Sequence, residues 1–202
     1  MEGTKIRLSE EELELASDAY ILLTKNIVMS KAGELLGDLS AHIQHELQSH
    51  DRVITDAIEA GPKISRGENY LGLPYVILDF PRYFREHDVF AVRTMFWWGN
   101  FLSMTLHLKG NYREHFRAQL TEGLRSMAAT GFHVCISEDE WEHHFGVDNY
   151  IPLESLGSDS WEELYAARSF TKLAIKWPVA EWNDSLEKMG AAFAEIRRVL
   201  KI

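Results

Sequence analysis

The chain has 202 residues, 46% of them hydrophobic and 26% charged, with a formal net charge of −10 at pH 7. That length can bury a core without disulfide or metal staples, the composition excludes a chain too polar to fold, and the charge disfavours nucleic acid and anionic lipid as partners. Cys135 is the only cysteine, so no internal disulfide can form, and Glu10, Glu11, Glu12, Glu14 and Asp18 stand where a signal peptide needs an apolar stretch. With no segment apolar enough to span a membrane, the expectation is one cytoplasmic domain covering residues 1–202.

Ser9 and Glu12 have the spacing of a capping box, which starts a helix at Glu10. Leu13, Ala16, Tyr20 and Leu23 recur at helical intervals and are expected on one buried face. Leu36, Leu39, Ile43, Leu47 and Ile54 carry a second helical stretch, which Gly61-Pro62 ends.

From Leu73 the pattern changes. Pro74–Phe80, Val89–Trp98 and Phe101–Lys109 are rich in aromatic and branched residues and read as strands. Gly99-Asn100 suits a two-residue hairpin turn between the last two, with Trp98 facing Phe101. Tyr112, Phe116, Leu120, Leu124 and Met127 form a helical stripe up to Gly131, a natural left-handed cap.

A fourth strand spans Phe132–Ile136, and Ser137 and Ser160 each begin a capping-box pattern that predicts a short helix. Thr171, Leu173, Ile175 and Trp177 alternate with Lys172, Ala174 and Lys176, giving a fifth strand with one face in water. Leu186, Met189, Phe193, Ile196 and Leu200 place a core stripe on a C-terminal helix. The fold class is therefore α+β: an antiparallel sheet of about five strands with long N-terminal helices and a C-terminal helix packed on it.

Chemical signatures are few. His42, His45 and Glu46 lie one helical turn apart, but a metal centre needs three or four converging ligands. Glu140, Glu142, His143 and His144 offer similar spacing, explained as well by acids at a helix start. There is no phosphate-binding glycine loop and no nucleophile elbow, so no metal and no cofactor is expected. Cys135 sits in an alternating apolar strand, where a thiol is normally inert.

The remaining feature is polar residues inside the strands. Residues 61–130 hold 9 basic and 6 acidic side chains, and are the positive third of an acidic chain. With the two-residue turn, Thr105 and His107 share a face with Thr94 and Trp98, while Arg93 faces the other way among Met95, Met104 and Leu106. One bulge would exchange the faces. Arg93, Trp98, Thr105 and His107 are the first candidates for binding a small organic anion, and Tyr70 and Arg82 in the flanking loops come next. A homodimer through the apolar helices is the alternative. An enzyme using His107 as base and Arg93 as anion clamp requires both on one face.

Overall fold

The computed structural model describes residues 6–202, the side chains at 158 and 159 excepted. Helices α1 (Glu10–Ser17), α2 (Ala19–Glu46) and α3 (Thr55–Glu59) lead into a four-strand meander of β1 (Lys63–Tyr70), β2 (Leu73–Phe84), β3 (Val89–Trp97) and β4 (Phe101–Lys109). There follow α4 (Asn111–His115), α5 (Arg117–Ala129), β5 (His133–Cys135), β6 (Tyr150–Pro152), α6 (Ser158–Ala167), β7 (Phe170–Pro178) and α7 (Ser185–Leu200). The seven strands form one antiparallel sheet in the order β1-β2-β3-β4-β7-β5-β6. The α+β class holds, with two strands more than expected. β1 is a polar edge strand interrupted by Gly67, and β6 has three residues, so neither carries a hydrophobic pattern.

Several helix signals are realised as read. Ser9 Oγ accepts from the Glu12 amide at 3.1 Å, and the Ser9 amide donates to Glu12 Oε2 at 2.7 Å. Gly131 adopts φ +88° after α5, with the Phe132 amide bonded to the Met127 carbonyl. Leu36, Leu39 and Ile43 of α2, Met127 of α5, and Met189, Phe193 and Ile196 of α7 lie fully buried on one sheet face, against Leu78, Phe96, Met104, Leu106 and Leu173. Leu186 is the exception in the α7 stripe and stays exposed. The 112–127 stripe breaks at Phe116 into α4 and α5.

The start of the chain departs from expectation. Leu13, Ala16, Tyr20 and Leu23 are exposed, and α1 buries no residue. The first buried residue of α2 is Met29, and residues 8–23 are all exposed, so this stretch extends beyond the helical layer that covers the sheet.

The β3–β4 turn is one residue longer than read. Trp97 pairs with Phe101, leaving Trp98, Gly99 and Asn100 as the loop, and the Asn100 amide closes it onto the Trp97 carbonyl at 3.0 Å. Gly99, third in that turn, has φ +72°, the position at which a type II turn demands positive φ. Because side chains alternate, a one-residue change moves every residue of one strand relative to the other. Arg93 now pairs with Thr105 and Ala91 with His107, so Arg93, Thr105 and His107 share a face, and Thr94 faces the helical core with Met104.

A left-handed alanine costs about 1–2 kcal/mol, so Gly99→Ala should lower stability by that amount in urea unfolding. An unchanged midpoint would contradict the turn assignment.

Candidate functional site

The sheet face opposite the helices is where the polar residues meet. Pairing in register sets Asp79, Arg93, Thr105, Ala174 and His133 in one row across β2, β3, β4, β7 and β5, and sets His107 beside Lys172 in the next. A third row, Tyr75, Trp97 and Phe101, is aromatic. This face is not wet. Residues 136–149, between β5 and β6, cross it without helix or strand.

The helix expected after Ser137 is absent because its side chains bond locally instead. Ser137 Oγ accepts from the Asp139 amide at 3.1 Å, and Asp139 Oδ1 from the Trp141 amide at 2.8 Å. Such turns compete with helix formation. The ends of the segment are joined by the Ile136 amide bonding to the Asn149 carbonyl. Phe145 packs into both apolar patches of this face, stacking on Tyr150 and meeting Phe101 edge-on.

Polar side chains latch the strap elsewhere. Arg93 grips Asp79 with two parallel bonds of 2.7 and 3.0 Å, and its third nitrogen donates to His143 Nε2 at 3.0 Å. His143 must therefore be neutral; burial first, then the Arg93 and Lys172 charges, push its pKa down to about 2. Glu140 Oε2 lies 3.0 Å from His107 Nε2, and its other oxygen accepts from Lys109 at 2.6 Å. An ionised carboxylate only accepts, so His107 carries its proton on Nε2; burial lowers the His107 pKa.

Glu140 itself is held at about 2, first by the His107 hydrogen bond and then by Lys109. Its contribution to stability is complete above the ordinary carboxylate value and is lost as pH falls from 4.5 toward about 2. Tyr70 Oη accepts from the His143 and His144 amides, at 2.7 and 3.0 Å, and donates to Glu142 Oε2 at 3.1 Å.

Lys172 lies at the centre and is 1% exposed. Its ammonium donates to the Glu142 carbonyl, and among the described residues no carboxylate comes within ion-pair distance. Burial lowers its pKa to about 8. The Tyr150 ring lies 5.4 Å from the ammonium. Its hydroxyl is fully buried with no partner of full hydrogen-bond geometry among the described residues; burial raises its pKa, and the neighbouring Thr105 side chain opposes that rise. Cys135 donates to Asn149 Oδ1 at 3.3 Å, and burial raises its thiol pKa.

Of the residues anticipated from sequence, Arg93, Thr105, His107 and Tyr70 converge here. Trp98 does not: as a loop residue it packs beside Phe96 toward the helical layer. Arg82 does not either, since its guanidinium bonds the Ala60 and Gly61 carbonyls behind α3. Lys172 and Tyr150 were not anticipated, and Glu140 and His143 have ligand-like spacing in the sequence but read as an acid and an imidazole of a helix start. Lys172 sits at an alternating position that reads as solvent-facing unless the strap is known, and Glu140 and His143 read as members of a helix. A lysine between Thr171 and Leu173 in the sheet centre was the available signal.

Among the described residues no three His, Cys, Asp or Glu side chains converge as a metal site, and Glu46 is engaged by Arg197 at 2.6 Å. Among the described residues no helix is long and apolar enough to cross a membrane. No protein-family model, curated protein or solved structure matches this chain.

Removing one partner of a buried pair strands the other charge, so Arg93→Met should cost about 3–5 kcal/mol in chemical unfolding. The double variant Arg93→Met/Asp79→Leu should cost much less than the sum of the single changes. Additivity within about 0.5 kcal/mol would show that the two residues are not coupled.

Proposed function

We propose that the protein binds a small organic anion on the sheet face beneath residues 136–149, with Lys172 as the principal charge. The carrying observation is the buried Lys172 ammonium, which among the described residues has a carbonyl and only the more distant charges of Asp139 and Glu140 to offset it, on the same face as the Tyr150 hydroxyl. Burying a charge without a counter-ion costs several kcal/mol, and a lysine kept in that state is a functional candidate on physical grounds. A carboxylate or phosphate would supply both the counter-charge and an acceptor for the hydroxyl.

The strap already brings one carboxylate to this face. Glu140 occupies the donors of His107 and Lys109, and His107 is the cross-strand neighbour of Lys172. Glu140 thus stands where an incoming carboxylate would bind, and ligand entry is an exchange in which the strap lifts and Glu140 leaves. The segment is suited to this, being a long irregular stretch held mainly by side chains. The hollow of about 800 Å³ lined by Thr121, Leu124, Leu153 and Trp161 lies away from these residues, and Glu122, Glu154 and Glu162 outnumber Arg125 on its wall.

Catalysis has less support. Arg93 and His107 do share a face, the geometric condition for a base beside an anion clamp. But the Arg93 guanidinium is committed to Asp79 and His143, and the His107 Nε2 proton to Glu140.

Calorimetry against a panel of small carboxylates and phosphates tests the reading. Binders should weaken at least about tenfold in Lys172→Met, bind more tightly to Glu140→Gln, and lose affinity as pH rises through about 8 and Lys172 loses its charge. No binder in the panel, or binders indifferent to both substitutions, would overturn it. Lys172→Met should remain folded, within about 2 kcal/mol of the parent, because the lost carbonyl bond is offset by relief of the buried charge.

A further inference from the structure

The N-terminal arm is a surface built for burial that this chain does not itself bury. Leu8, Leu13, Leu15, Tyr20, Ile21, Leu22, Leu23 and Ile27 are each between 42% and 73% exposed. Tyr20 to Leu23 are four consecutive large apolar residues in a helix, so this one turn, between Asp18 and Thr24, has no polar side. A contiguous exposed apolar patch of this kind marks an interaction site.

The arm's charges indicate what covers it. Residues 10–18 carry Glu10, Glu11, Glu12, Glu14 and Asp18 with no base, while residues 19–31 carry Lys25 and Lys31 with no acid. α1 is thus acidic and the first half of α2 basic; with Lys25 paired to Glu68 in the subunit, Lys31 is the base left to meet those acids. Yet α1 buries no residue against its own α2. Two copies related by a two-fold axis satisfy both halves at once, α1 of each lying on α2 of the other, which is the self-complementary arrangement of a cyclic dimer. The area agrees. Eight side chains of this size hide roughly 60–120 Å² each, on the order of 500–900 Å² together, against about 800 Å² per partner in a stable interface.

We infer that the protein forms a two-fold homodimer through an antiparallel exchange of its α1–α2 arms. The inference stands on the arm alone and is independent of anion binding at the opposite sheet face. Lys25 has a second role in the subunit, pairing with Glu68 of β1 and steadying the base of the arm. Lys31, exposed on α2, is free to meet the partner's acids.

Sedimentation equilibrium of the full chain should show a dimer at micromolar concentration. Leu22→Glu/Leu23→Glu should dissociate it at least about tenfold more readily, with the subunit's circular dichroism unchanged because neither residue packs in the monomer. A charge exchange then tests the pairing itself. Glu11→Lys/Glu14→Lys and Lys31→Glu should each weaken self-association, and mixing the two variants should restore a dimer, since the exchanged positions 11, 14 and 31 then face opposite charges across the pair. A monomer at all concentrations would overturn the inference. So would a dimer that survives Leu22→Glu/Leu23→Glu, or a mixture no tighter than its components.

Discussion

The pairing of Arg93 with Thr105 across the β3–β4 hairpin decides which side chains meet which layer, and the rest of the molecule follows from it. With that register, Val92, Phe96, Leu102, Met104 and Leu106 form an apolar face that α2, α5 and α7 can cover. The opposite face then holds Asp79, Arg93, Thr105, His107 and Lys172 in adjoining rows. A helix with an apolar stripe cannot cover such a surface, because buried donors need acceptors. An irregular strap can, since its carbonyls and carboxylates are free to turn inward. Carbonyl 142 meets Lys172, Glu140 meets His107 and Lys109, and His143 meets Arg93.

The cover is uneven in electrostatic quality, and that unevenness carries the functional reading. Arg93 has its aspartate and Lys109 its glutamate. Lys172, deepest of the three, has a neutral carbonyl, and the Tyr150 hydroxyl on the same face has no partner of full hydrogen-bond geometry among the described residues. Chains fold with nearly all buried polar groups satisfied. A cation without a carboxylate at ion-pair distance and a hydroxyl without a well-placed acceptor, on one buried surface, are the pair of features on which the proposed anion site rests.

Much of the scaffold was legible in the residues because local and global preferences agree there. The Ser9 capping box, the Leu36–Ile43 stripe, the Gly131 cap and the α7 stripe each report a buried face or a helix end directly. The site was less legible because it depends on one count and one cover. Gly99 is compatible with a two-residue or a three-residue loop, and the difference exchanges the faces of Arg93 and Thr94. Ser137 to His143 have helix-start composition, yet their side chains satisfy turns and the sheet instead, so the strap had no signature. Without the strap, Lys172 reads as a solvated position. The Leu13–Leu23 periodicity reported a helix correctly but not burial, since these residues stay exposed within the subunit.

The state of the Lys172 ammonium tests the account most directly, because only a closed strap over an uncompensated charge perturbs it. NMR titration of the ¹⁵N-labelled lysine side chains, assigned with Lys172→Met, should show one lysine titrating near 8 in the free protein. A Lys172 that titrates at the ordinary 10.5 would place the ammonium in water or beside a carboxylate, and would contradict both the buried row and the anion site built on it.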